Sequence, residues 1–310
     1  MAVLLFLSLV CSAQTNARRS LVLVMGAAGE PEYGEQFAVS ADLWKRAGTN
    51  GGFKISVVGE STHGENDRGE LLSILTNEVA WPGDDLWIVL IGHGTYDGRV
   101  AKFNLRGPDI SADELAGALK PCKRPLAVID CSSASGPFLN ALSAPGRVII
   151  TATKSGYEVN ATRFGNYLAR DVADPAADLD KDGQTSLLEA FLMASRQVDE
   201  FYKEAGRLAT EHALIDDNGD GLGTPADWFH GVRAVKKAAD GKSVDGVRAN
   251  EMHLVRSSSE QELSPELRAQ RDALEAQMSA LRDRKAQMNV DDYYNQLEKI
   301  LVKMAELYGK

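Results

Sequence analysis

Two side chains suited to nucleophilic chemistry stand immediately after apolar runs. Leu86–Ile91 (LWIVLI) leads into Gly92-His93-Gly94, and Leu126–Ile129 (LAVI) leads into Asp130-Cys131-Ser132-Ser133. A thiol beside an imidazole forms the thiolate that attacks a carbonyl, and the imidazolium then protonates the leaving amine. If the two runs are neighbouring parallel strands, their ends lie about 4.8 Å apart. Ligands of open parallel sheets bind outside these carboxyl ends. The glycines let the backbone approach a substrate, so the N–H groups of Gly94 and Cys131 are the candidate oxyanion donors. A cysteine at a strand end is, taken alone, most often an inert core residue. Both motifs together in this order favour catalysis. His63-Gly64 in a polar loop and His230-Gly231 after the cysteine rank behind His93, and nothing around His212 or His253 distinguishes them. No G-x-S-x-G elbow occurs, which argues against a serine α/β-hydrolase.

A second chemistry is written in two Asp-rich loops. Asp178-Leu179-Asp180-Lys181-Asp182-Gly183 continues to Glu189 and matches D-x-D-x-D-G-x₅-E in full. Asp178, Asp180, Asp182 and Glu189 supply hard oxygen ligands for Ca²⁺, with Gln184 at the backbone-carbonyl position and Gly183 at the sharp turn. The second loop offers Asp216, Asn218 and Asp220, with the shorter acid Asp227 at position 12. Both depart from a full EF-hand pair. Pro175 interrupts the entering helix, and Thr185 and Gly223 fill a position usually apolar. The bland alternative is a pair of Asx-rich turns without metal. If calcium binds, a structural staple is expected, since extracellular sites are weak, about 10⁻⁴–10⁻³ M.

The elements that must position these groups follow from periodicity. Strands are expected at Leu21–Met25, Phe53–Val58, Leu86–Ile91, Leu126–Ile129 and Val148–Thr151. Helices are expected at Ala38–Ala47, Asp67–Glu78, Ser111–Leu119 and Ser186–Arg207, with Ser111 and Glu114 forming a capping box. Strands apolar on both faces and alternating with helices indicate an α/β doubly wound, mostly parallel sheet covered on both sides. Residues 236–262 are polar and weakly periodic, with an edge strand expected at Met252–Val255. Ser264-Pro265-Glu266 then opens a helix in which Leu267, Leu274, Leu281 and Met288 recur every seven residues, and a second helix carries Leu297, Ile300, Leu301, Met304 and Leu307. Residues 263–310 therefore read as a helical hairpin packed on the domain or on itself. A self-associating coiled coil is the sharper alternative.

Among its 310 residues the net charge is −10, and without the eight acids of the two loops it would be −2. That balance excludes nucleic acid as a partner, since phosphate binding needs a basic face. Residues 1–13, MAVLLFLSLVCSA, read as a signal peptide cleaved before Gln14, so a secreted or periplasmic protein is expected. The run is too short to span a bilayer, which takes about 20 apolar residues. Cys122 and Cys131 bracket one expected strand and so lie well over ~20 Å apart, too far for a disulfide.

The order apolar strand, His-Gly, some forty residues, apolar strand, acid-Cys resembles the caspase, legumain and gingipain superfamily, closest to bacterial legumain-like proteins. The similarity covers roughly residues 21–235, within a domain bounded at 14–235. It implies a caspase-like fold and a cysteine endopeptidase or transpeptidase acting on a peptide or protein substrate, with Cys131 as nucleophile, His93 as general acid and Gly94 as oxyanion donor. No catalytic cofactor is implied. Ser132-Ser133 stands where caspases carry Arg-Gly, which puts aspartate-specific cleavage in doubt. In this superfamily specificity lies in loops around the active-site strands. Lys154–Phe164 is the candidate here, with Glu158 to select a basic side chain or Arg163 an acidic one, and Asp130 beside the nucleophile as a further substrate contact. Two other readings stand beside it: a catalytically silent, calcium-binding caspase-like module, and a hydrolase of non-peptide amides or esters.

Overall fold

The computed structural model describes residues 18–61, 66–81, 83–239 and 243–308. The expected signal peptide and His63-Gly64 lie outside them. In chain order the elements are β1 (Ser20–Met25), α1 (Pro31–Asn50), β2 (Lys54–Val58), α2 (Asp67–Ala80), β3 (Leu86–Ile91), β4 (Gly94–Tyr96), β5 (Ala101–Phe103), β6 (Ile110–Ser111) and α3 (Ala112–Leu119). There follow β7 (Leu126–Asp130), α4 (Gly136–Leu142), β8 (Arg147–Thr151), α5 (Phe164–Asp171), α6 (Leu187–Glu204), β9 (Leu214–Asp216), β10 (Thr224–Pro225), β11 (Phe229–His230) and β12 (Arg233–Ala234). The chain ends in α7 (Val247–Glu251), α8 (Ser258–Glu262), α9 (Pro265–Asp283) and α10 (Val290–Tyr308). None of the described helices is long and apolar enough to cross a membrane.

Seven strands form one sheet in the order β10-β9-β8-β7-β3-β1-β2. The five strands from β8 to β2 run parallel, and β9 joins β8 antiparallel. The chain moves outward from β1 to β2, then crosses to β3 on the other side of β1. Such a reversal sends flanking helices to opposite faces and opens a crevice at the strands' carboxyl ends. Strand side chains alternate between two cores, as the two-residue period requires. Leu21, Leu23, Trp87 and Val89 pack with Trp44, Phe164 and Phe191 on the face of α1, α5 and α6. Val22, Val24, Ile88 and Leu90 pack with Leu71, Leu75, Leu115 and Phe138 on the face of α2, α3 and α4.

Several boundaries differ from expectation. Helix α1 starts seven residues before Ala38, because Pro31 sits in the first turn, where its fixed φ suits the helix and no N–H is missed. Those extra turns bring Tyr33 and Phe37 to the crevice. Ser111 caps α3 by accepting the Glu114 N–H at 3.2 Å, but the reciprocal half of the box is absent, since the Glu114 carboxylate takes Arg68 Nε at 2.8 Å. The complete capping box is Ser186 with Glu189 at the start of α6.

The edge strand expected at Met252–Val255 does not form. Its carbonyls are claimed elsewhere: Met252 accepts from the Leu187 N–H at 2.8 Å, and Leu254 accepts from Arg19 Nη1 at 3.1 Å. Arg19 also makes a two-pronged pair with Asp85, at 2.9 Å on each prong, and donates to the His253 carbonyl. One buried guanidinium thus ties the amino-terminal edge of the sheet to the segment leading to the C-terminal helices. Within that region α9 packs on α10 and α7, with Leu274 and Leu281 buried.

Removing one partner of a buried pair leaves a buried charge uncompensated. Arg19→Ala is therefore expected to cost about 3–5 kcal/mol in urea unfolding. A loss under ~1 kcal/mol, the scale of an exposed pair, would show that Arg19 does not hold this edge.

Candidate active site

Strands β3 and β7 pair in parallel with Leu90 opposite Asp130. The Cys131 N–H donates to the Leu90 carbonyl at 3.0 Å, so the ladder runs one residue beyond β7. His93 stands two residues beyond the end of β3. Both line one cavity of about 250 Å³, walled also by Tyr33, Phe37, Thr162 and Gly165. His93 Nε2 lies 3.2 Å from the Ala28 carbonyl. A carbonyl only accepts, so Nε2 carries the hydrogen and Nδ1 is the basic nitrogen. Tyr33 and Phe37 meet the imidazole edge-on at centroid distances of 4.6 and 5.2 Å. The backbone acceptor and the two rings fix both tautomer and plane.

Cys131 is only 5% exposed. Its Sγ lies against Gly165, where a Cβ would come within 3.0 Å of the sulfur and 2.5 Å of the Cys131 Cβ, so a side chain there would displace the cysteine. Thr162 Oγ1 donates to the Cys131 carbonyl at 2.5 Å. Burial pushes the thiol well above its ordinary value, and the neighbouring Asp130 carboxylate pushes the same way. The resting group is a neutral thiol.

The assignments around this pair need correction. Gly94 is not an open oxyanion donor: its N–H goes to Ser133 Oγ at 3.2 Å, and that hydroxyl donates back to the Gly94 carbonyl at 3.1 Å. The approach is so close that a Cβ on residue 94 would lie 2.2 Å from the Ser133 carbonyl oxygen. The Cys131 N–H is likewise taken, by the sheet ladder. Asp130, expected as a substrate contact, is buried and does not line this cavity. Its Oδ1 accepts from the Ser132 N–H at 2.9 Å and the Ser132 hydroxyl at 2.6 Å, while Oδ2 has no partner. Burial raises its carboxyl to about 6. Glu158 is not free to select a basic side chain, since it accepts from the Lys154 N–H at 3.0 Å and pairs with His212 Nδ1 at 2.5 Å. Arg163 does line the cavity, and its guanidinium stacks 3.7 Å from the Phe201 ring centroid.

The two acidic loops share one backbone design. In the first, Asp178 accepts from the Lys181 and Gly183 N–H groups, and in the second Asp216 accepts from Gly219 and Gly221. The donors occupy positions 4 and 6 of each loop and have positive φ: 65° and 92°, then 75° and 76°. Carboxylate oxygens of Asp178, Asp180 and Asp182 lie within 4.8 Å of one another. Burial, then Glu189, Asp182 and Asp178, raise the Asp180 carboxyl. That donor set suits a hard cation. Glu189 departs from it, because one oxygen accepts from Leu179 and Asp180 N–H and the other serves the Ser186 cap. In the second loop Asp220 Oδ2 is buried without a partner, whereas Asp227 lies in a short 3₁₀ turn, Ala226–Trp228, outside any cluster of three ligand groups among the described residues.

The loop expected at Lys154–Phe164 does reach the cavity, through Ala161, Thr162 and Arg163, but the roles of several residues that shape the site had no signal of their own. Ala28, Thr162 and Gly165 act through a carbonyl, a hydroxyl and the lack of a side chain. Tyr33 and Phe37 were detectable only by starting α1 at Pro31.

No protein-family model and no curated protein sequence matches the chain. Solved structures similar to it include a Geobacter sulfurreducens protein at 14% identity and TM-score 0.44, covering 64% of this chain and 92% of that one. Caspase-1 from Spodoptera frugiperda is similar at 11% identity and TM-score 0.42, covering 65% and 86%. The Drosophila initiator caspase Dronc is similar at 13% and 0.39, covering 64% and 79%.

A carboxyl raised to about 6 from 3.8 stabilises the fold fully below pH 3.8 and loses that contribution as pH rises through 6. Asp130→Asn does not titrate, so relative to wild type it is expected to gain about 2–3 kcal/mol between pH 4 and 8. Urea unfolding across that range measures the gain. Parallel stability curves would contradict the burial argument.

Proposed function

We propose that the chain is an exported cysteine peptidase that cleaves peptide bonds with Cys131 and His93. The observation that carries this reading is the shared cavity at the carboxyl ends of adjacent parallel strands, with His93 held as the Nε2–H tautomer. The resemblance of the two strand-end motifs to cysteine peptidases supports it. Because the thiol rests neutral, deprotonation and attack are coupled. His93 Nδ1 takes the Sγ proton as sulfur bonds to the carbonyl carbon, and the imidazolium gives that proton to the departing amine. Water then attacks the thioester, losing its proton to Nδ1, and the thiol is regenerated with the acid as product. The oxyanion needs a donor. Turning the Ser133 side chain about χ1 carries Oγ away and releases the Gly94 N–H for that purpose, so the resting Ser133–Gly94 contact is what substrate must displace.

A specific observation also favours the silent module: both oxyanion N–H groups are already bonded. Hydrolysis of a peptide library decides between them. Cleavage by wild type is expected to fall at least ~100-fold in Cys131→Ala and in His93→Ala, the scale of a general acid–base contribution. Equal turnover in wild type and Cys131→Ala, or none in any sample, overturns the peptidase.

For the acidic loops the proposal is structural calcium held by Asp178, Asp180, Asp182 and the Gln184 carbonyl, with Glu189 turning from its cap to complete the set. The second site would use Asp216, Asn218 and Asp220. The ion would supply positive charge that offsets crowded carboxylates beside α6, and it takes no part in the reaction. At 10 mM calcium and a Kd of about 10⁻⁴–10⁻³ M, stabilisation is about 1.4–2.7 kcal/mol, or a rise in Tm of roughly 3–10 °C. Asp180→Asn should lose most of it. Identical melting curves with calcium and with chelator would exclude a structural ion.

A further inference from the structure

We propose that the dipeptide Glu211-His212 is a clamp that positions the loop over Cys131 by gripping it at both ends. At the loop's start, Glu158 accepts from the His212 N–H at 3.2 Å and pairs with His212 Nδ1 at 2.5 Å. At its end, Glu211 accepts from the Arg163 N–H at 2.8 and 3.0 Å and from the Phe164 N–H at 3.0 Å. Between these grips lie Ala161 and Thr162, which wall the cavity, and one residue past them is Gly165 against the sulfur.

The grip is one-directional in its energetics. Glu211 is 2% exposed and also accepts from the Tyr202 hydroxyl at 3.2 Å. A buried carboxylate of this kind is stable only while its donors stay in place, so the Arg163–Phe164 backbone is held by the cost of abandoning it. The Arg163 guanidinium is pinned over Phe201 on α6, and the Glu158 carbonyl accepts from the Ala134 N–H at 2.8 Å, three residues beyond Cys131. The clamp therefore sets how far the Thr162–Gly165 segment stands from the thiol, while touching neither Sγ nor His93 itself. Glu211 and His212 are positioning residues.

The proposal rests on the reading of Cys131 and His93 as one site, but its test is independent of peptide cleavage. The rate of Cys131 alkylation by iodoacetamide is measured by peptide mass spectrometry, with Cys122 beyond the other end of β7 as internal reference. Loss of the half-exposed pair in His212→Ala is expected to speed Cys131 alkylation about threefold, with Cys122 unchanged. In Glu211→Gln, which turns an amide N–H toward backbone donors, about tenfold is expected. His212→Asn keeps a donor near the Nδ1 position and should stay close to wild type. If both cysteines accelerate together, the change is general loosening, and the clamp is overturned. If neither rate moves in His212→Ala, it is overturned as well, even where Glu211→Gln fails to fold. Absence of peptide cleavage in wild type would count against the peptidase and leave the alkylation result readable.

Discussion

The hydrogen bond from the Cys131 N–H to the Leu90 carbonyl governs the rest of the site. It extends the β3–β7 ladder past the last residue of the strand and fixes the Cys131 backbone relative to its neighbour. Everything on the β7 side inherits this register. Asp130 is drawn inward, Ser132 and Ser133 turn across Gly94, and the sulfur meets Gly165. The same bond consumes an N–H that a loosely held loop would offer to a reacting carbonyl. Position is gained here at the expense of that N–H, and the Gly94 N–H across the crevice is taken as well, by Ser133 Oγ.

The electrostatics follow from that placement. A thiol sealed by Gly165 and Thr162, with a carboxylate as its chain neighbour, resists ionisation, and the proposed reaction therefore has the imidazole take its proton during attack. His93 is held by the Ala28 carbonyl on β1's carboxyl side and by the rings of Tyr33 and Phe37. The crevice at the reversal of strand order is what brings β1, β3 and β7 together. Two further restraints act at a distance. Arg19 holds the opposite end of the sheet, and the first acidic loop runs into the capped start of α6, against whose Phe201 the Arg163 side chain rests.

The parallel sheet and the placement of His93 and Cys131 at neighbouring strand ends were legible in the sequence, because apolar runs of strand length and an abrupt switch to Gly, His or Cys are local signals. What these residues bind was not. The Gly94 and Cys131 N–H groups were expected to face substrate, but their partners, Ser133 Oγ and the Leu90 carbonyl, are set by tertiary register. Glu158 carried a charge that suited substrate selection, and His212, fifty-four residues later, claims it. The first acidic loop was readable because its spacing encodes its own turns. In the second, Asp227 falls in the 3₁₀ turn after Pro225, outside any cluster of three ligand groups among the described residues. Met252–Val255 misled because alternating apolar residues suggest a strand, whereas Arg19, some 235 residues earlier, takes the Leu254 carbonyl.

The central claim is that Cys131 and His93 act as one unit on an acyl carbon. Intact-mass and peptide mapping after incubation with a panel of peptidyl acyloxymethyl ketones tests it most directly. A single covalent adduct on Cys131 is expected, formed with saturable kinetics and strongly slowed in His93→Ala. An adduct distributed between Cys122 and Cys131, or one that forms on Cys131 at the same rate without His93, would contradict it.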